Sequence, residues 1–75
     1  MNNPYGFNEL FLELHGQKSL YIENFKRILK YTPNEIIVQS SRGKLLLSGK
    51  QLYIKKYSYE EIRIDGIINT ISFLS

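Results

Sequence analysis

Residues 35–73 read EIIVQSSRGKLLLSGKQLYIKKYSYEEIRIDGIINTISF. Apolar and polar side chains alternate through this stretch. Ile36 and Val38 share one phase and Ile37 and Gln39 the other, and Leu45 with Leu47, Leu52 with Ile54, and Ile62 with Ile64 repeat the pattern. Successive side chains leave a strand on opposite sides, so a period of two marks strands with one buried face. Arg42-Gly43, Ser48-Gly49 and Asp65-Gly66 interrupt the alternation where the chain is expected to reverse, because glycine reaches the backbone conformations of tight turns. One irregularity stands near the end: Ile71 and Phe73 share a phase that Ile68 does not. A single extra residue near Asn69-Thr70 would return all three to one face, so a β-bulge is expected there, or else burial of both faces.

The first half extends the pattern. Leu10, Leu12 and Leu14 alternate with Phe11 and Glu13, which favours a strand over residues 10–14 above a helical turn at 8–12 capped by Asn8. Gly16-Gln17-Lys18 reads as a turn, residues 20–23 as a second strand and residues 27–31 as a third. Ile22, Phe25, Ile28 and Leu29 also fit a helical stripe, but β-branched and aromatic content favours strands. Thr32-Pro33-Asn34 is a turn, and Tyr57-Ser58-Tyr59-Glu60 a longer one. The expected fold is all-β: a small antiparallel sandwich or rolled barrel of about eight short strands, with a short β-solenoid as the alternative. Residues 1–9 read as a flexible arm and residues 10–75 as a single domain.

Seventy-five residues without cysteine exclude a disulfide staple and a thiolate metal site, and suit a reducing cytosol. So short a chain has a limited core, and self-association is one way to bury more surface. The start, MNNPYGFNEL, lacks the basic and apolar regions of a signal peptide, and no apolar run approaches a membrane span. A cytoplasmic protein with no membrane span is the expectation. The net charge of +3 is spread along the chain, as on a solvated surface.

Nothing in the sequence assembles a reaction centre. His15 is the single histidine, and metal sites need several convergent ligands. Asp65 is the single aspartate and reads as part of an Asp-Gly turn. Glu60 and Glu61 are neighbours, which on a strand point to opposite faces. Gly16, Gly43, Gly49 and Gly66 read as turn formers rather than a phosphate loop. No catalytic residue, cofactor or metal is expected, and the chain is read as no enzyme.

Two features point toward binding. Phe11, Tyr21, Leu29, Ile37, Leu46 and Tyr53 lie in the phase opposite the main core, where a wet face would be polar. They either fill the second side of a rolled sheet or form an apolar surface for self-association or a partner. Separately, Lys26, Arg27, Lys30 and Tyr31, and Tyr53, Lys55, Lys56 and Tyr57, interleave aromatic and basic groups. That combination suits single-stranded nucleic acid, by base stacking and phosphate contact. Nucleic acid is the alternative reading and protein contact the preferred one.

From Leu20-Tyr21-Ile22-Glu23-Asn24 onward the chain resembles the YabP/YqfC family of small sporulation proteins of endospore-forming Firmicutes. The matching positions are Gly16, Leu20, Ile22-Glu23-Asn24, Ile28, Tyr31 and Ile36. They continue with Gly43-Lys44-Leu45-Leu46-Leu47-Ser48-Gly49, Leu52, Ile54, Glu61-Ile62-Arg63-Ile64-Asp65-Gly66, Ile68, Ile71 and Phe73. Phe25-Lys26-Arg27 stands where the family tends to have histidine, a basic residue and glycine. The resemblance implies a non-enzymatic protein of the spore coat or envelope, made in the mother cell or held at the spore surface. Its partners would be further copies of itself or another sporulation protein. Glu23 and Asn24 are the distinctive polar pair of the motif, with Asn24 expected to shape a turn.

Overall fold

The structure is a computed structural model that describes residues 10–74. The arm expected over residues 1–9 lies outside the described residues. Six strands form one antiparallel sheet: β1 (Phe11–His15), β2 (Ser19–Glu23), β3 (Arg27–Tyr31), β4 (Glu35–Gln39), β5 (Lys44–Tyr57) and β6 (Glu61–Leu74). Their order is β1-β2-β6-β5-β4-β3, so β1 and β3 are edges and the sheet does not close into a barrel. The all-β expectation holds, with six strands in place of about eight.

The difference lies at two glycines. Ser48-Gly49 and Asp65-Gly66 are not chain reversals, as the sequence reading had them. Each sits inside a strand of 14 residues, where it bends the strand instead of ending it. Gly16 does serve a turn, between β1 and β2, and Gly43 leads from the β4–β5 turn into β5. A hairpin turn and a sharp strand bend make similar demands on the backbone, which is why sequence does not separate them.

Because β5 and β6 bend together, each serves two halves of the sheet. Their distal parts, residues 53–57 and 61–65, continue into β2 and β1. Their other parts, residues 44–48 and 70–74, continue into β4 and β3. The two halves fold over one another and share one core: Leu20, Ile22, Ile62 and Ile64 from the first, Ile36, Val38, Leu45 and Leu47 from the second, all essentially inaccessible to solvent.

Backbone contact at the bends sets how closely β5 and β6 approach. A Cβ placed on Gly49 would overlap the Ile67 carbonyl oxygen, and one on Gly66 would lie 2.6 Å from the Gln51 oxygen. Gly66 (φ 137°) and Gln51 (φ 55°) both take left-handed conformations here. The two outer hairpins dock on these bends in equivalent ways. Gly49 N–H and Leu52 N–H donate to the Asn34 and Pro33 carbonyls of the β3–β4 turn. Gly66 N–H and Ile68 N–H donate to the Lys18 and Gln17 carbonyls of the β1–β2 turn.

The register between β5 and β6 slips beside the bends. Ser48 pairs with Thr70 but Gly49 with Ile68, leaving Asn69 as an extra residue. This is the bulge expected from the phase change between Ile68 and Ile71. It places buried Ile68 and half-buried Ile71 on the same inner face.

The link from β2 to β3 crosses between the halves. Asn24, at φ 66°, donates its N–H to the Glu60 carbonyl beside β6, and Lys26 N–H donates to the Gln39 carbonyl at the end of β4. Between them Phe25 turns inward, 8% exposed, and packs on Tyr57 with ring centroids 5.9 Å apart. The helical alternative for residues 22–29 is thus replaced by two strands and an aromatic plug at one end of the core.

Replacing Gly49 by alanine is expected to cost about 3 kcal/mol of stability, since backbone must move to admit the methyl group. Gly16→Ala, with open space around a φ of 63°, is expected to cost about 1 kcal/mol. Urea unfolding of both variants measures the difference.

Candidate functional site

The outer face of the half built from β1, β2, β6 and the end of β5 carries most of the polar chemistry. Strand register sets His15, Ser19, Asp65 and Tyr53 in one row, Glu13, Tyr21 and Arg63 in the next, and Phe11, Glu23 and Glu61 in a third. Ser19 donates its hydroxyl proton to Asp65 Oδ1 at 2.9 Å, and Arg63 Nε donates to Ser19 Oγ at 3.1 Å and to Asp65 Oδ1 at 3.2 Å. Lys55 Nζ stands 3.8 Å from the other oxygen of Asp65.

Burial acts to raise the Asp65 pKa. The Ser19 hydrogen bond, the Arg63 hydrogen bond and charge, and the Lys55 charge together outweigh it and hold the carboxyl below its usual range. In this arrangement the Ser19 proton is committed to Asp65 and its lone pair receives an Arg63 N–H. Such a hydroxyl links strands and is poorly placed to act as a nucleophile.

In the next rows the Tyr21 hydroxyl stands 2.8 Å from Glu23 Oε2 and 3.0 Å from Glu61 Oε1, serving two carboxylates with one proton. The hydrogen bond to Glu23, partial burial and the contact with Glu61 all push the phenol above its usual value, because ionisation would add a third negative charge. Lys56 Nζ lies 3.6 Å from Glu61, and His15 Nε2 lies 3.7 Å from Glu13, with both side chains mostly in solvent. Glu13, His15, Ser19, Tyr21 and Arg63 line a shallow polar hollow on this face. Among the described residues, no group of three or more His, Asp or Glu side chains is gathered as a metal site.

A second feature is apolar. Leu10 and Leu12 from the start of the chain, Ile71 and Phe73 from β6, buried Leu45 and Ser40, and Arg42 line a groove of about 370 Å³. It lies between β1 and the last residues of β6, which do not pair with each other among the described residues. Of its lining residues, Leu12 is 39% and Phe73 52% exposed.

The six residues proposed as an apolar interaction surface fall into two sets. Phe11 and Tyr21 touch edge to face, with centroids 6.5 Å apart, and Tyr53 lies two strands away on the same half. Ile37 and Leu46 are cross-strand partners on the other half, beside Leu29, which occupies a bulge of β3. Since the halves pack by their inner faces, these two sets face away from one another and do not make one surface. Ile37, Leu46 and Tyr21 are half-buried, and Phe11, Leu29 and Tyr53 are exposed. Of the motif pair, Glu23 accepts from Tyr21 and Asn24 makes the left-handed step into the crossover.

Sequence reading did not find the Ser19–Arg63–Asp65 network, whose members lie 44 and 46 positions apart across β2 and β6. It also missed the groove, assembled from both ends of the chain. Alternation names the face a residue occupies but not the neighbours it meets.

The family model of the YabP family matches residues 8–75, nearly the whole chain. The chain belongs to the YabP family. It is also similar to the uncharacterized protein YqfC of Bacillus subtilis (strain 168), with 32% identity over 59 residues. That match covers 79% of this chain and 63% of the relative, so the chain spans less than two thirds of that protein's length. Among the described residues, no helix is long and apolar enough to cross a membrane.

The polar network links stability to pH at both ends of the scale. With its folded pKa lowered, Asp65 contributes stability above its unfolded value of about 3.9, lost as pH falls through the folded value. With its folded pKa raised, Tyr21 contributes stability below about pH 10, lost as pH rises further. Asp65→Asn is expected to flatten the acid fall of the urea midpoint, and Tyr21→Phe the alkaline one, each without altering the opposite limb.

Proposed function

We propose that this chain is a non-catalytic protein of sporulation that acts by protein contact during formation of the spore coat or envelope. Membership of the YabP family supports the sporulation setting. The single structural observation behind contact is the apolar groove between β1 and the end of β6, lined by half-exposed Leu12 and Phe73. Among the described residues nothing fills this apolar site, and a site of this kind is best explained by something that covers it.

The polar face supports a structural role for its residues, since its hydroxyls and charges are engaged with one another across the strands. The nucleic-acid alternative draws less support. Lys30, Lys55 and Lys56 each stand within ion-pair distance of a carboxylate, and the Tyr31 hydroxyl accepts the Ile54 N–H. A phosphate backbone would have to compete with those contacts.

A tagged copy expressed from its own promoter in an endospore-forming host is expected to accumulate only after sporulation begins and to fractionate with the spore envelope. Phe73→Asp is expected to abolish that fractionation while leaving the circular dichroism spectrum unchanged. Constant vegetative expression, with normal heat-resistant spore counts after deletion, would overturn the reading.

A further inference from the structure

Among the described residues, no strand pairs with the outer edges of β1, of β3, of β5 from about residue 50, or of the last residues of β6. Edges that stay solitary carry charges, bulges or covers. β3 has Arg27, Lys30 and the bulge at Leu29. The β5 edge has Lys50, Lys55 and Lys56, an extra residue at Lys55, and the Tyr31 hydroxyl accepting the Ile54 N–H. The β6 edge, Thr70-Ile71-Ser72-Phe73-Leu74, has no charge and no proline, and its bulge at Asn69 precedes it. It also forms one wall of the apolar groove.

We infer that this edge pairs with the same edge of a second copy of the chain, antiparallel across a two-fold axis centred on Ser72. In that register Ser72 faces Ser72 of the second copy, Ile71 faces Phe73, and Thr70 faces Leu74, so no charges meet. The equivalent pairing of β1 would centre on Glu13 and set two carboxylates against each other, which is unfavourable. Within one chain Ile71 pairs with Leu47 and Phe73 with Leu45, so both point to the inner face. In the pair, Ile71 and Phe73 of each copy enter the groove of the other, over Leu12 and Leu45. Two four-stranded halves become one continuous sheet, an isologous arrangement that closes at the dimer.

This inference rests on the reading of the chain as a contact module and names one of its partners. Sedimentation of the full chain tests it. The wild type is expected to be a dimer. Ser72→Lys and Ser72→Glu, at an exposed outer-face position, are expected each to weaken self-association by roughly tenfold or more. An equimolar mixture of the two variants is expected to restore the dimer, because residue 72 meets its own counterpart only at the axis. Ser72→Cys, the single cysteine in its chain, is expected to form a disulfide-linked dimer on oxidation, since cross-strand Cα separations suit the bond. A monomeric wild type, a dimer indifferent to both charges, variants that do not rescue one another, or no crosslink would each overturn the pairing. A monomer that still fractionates with the spore envelope overturns the pairing alone and leaves the contact reading standing.

Discussion

Everything in this fold depends on two places where backbone meets backbone. Gly49 against Ile67, and Gly66 against Gln51 and Leu52, let β5 and β6 bend together without parting. A flat sheet of the same strands would leave the face carrying Leu20, Ile22, Ile36 and Val38 open to water. The bends fold that face onto itself and make one core from a single sheet. They also present the N–H groups of Gly49, Leu52, Gly66 and Ile68 to the carbonyls of the two outer turns, so each bend both shapes the long hairpin and seats a short one. Missing side chains are therefore what the core requires at these positions.

The two outer surfaces of the β1–β2 half differ in chemistry because they differ in completeness. On the outer face, Ser19, Tyr21, Glu23, Glu61, Arg63 and Asp65 satisfy one another across strands, and buried side-chain polar atoms without a partner are absent among the described residues. A finished network of this sort makes register specific, since a slip of one residue would reverse every face. Along the seam between β1 and the end of β6, the described residues do not complete one another in this way. Apolar groups there remain partly wet, and an edge strand lacks the charges that guard its counterparts.

Sequence carried the fold a long way. Alternation placed β1 to β4 within a residue or so, and the phase change between Ile68 and Ile71 revealed the Asn69 bulge. Gly49 and Gly66 were misread because a period of two cannot report whether a glycine reverses a chain or bends it; that depends on whether the flanking segments pair with each other. Ser48-Gly49 is followed by residues that pair with β6, not with the segment before them. Of the site, Asn24 and its turn were legible through the family motif that carries the Glu23-Asn24 pair. The separation of Phe11, Tyr21 and Tyr53 from Leu29, Ile37 and Leu46 was not, since which half of a bent sheet a strand joins is decided by partners far away in the chain.

The order of the strands also has a temporal meaning. β3, β4, β5 and β6 are each neighbours in sequence and in space, so they form a meander whose loops are short to close. β2 instead pairs with residues 38 to 46 positions away, from Glu23 with Glu61 to Ser19 with Asp65. Closing that larger loop carries the greater entropic cost, and contacts of long sequence separation slow folding. The amino-terminal hairpin, whose Leu20 and Ile22 are buried against β6, is accordingly expected to join last, completing a core that the meander of β3 to β6 has begun.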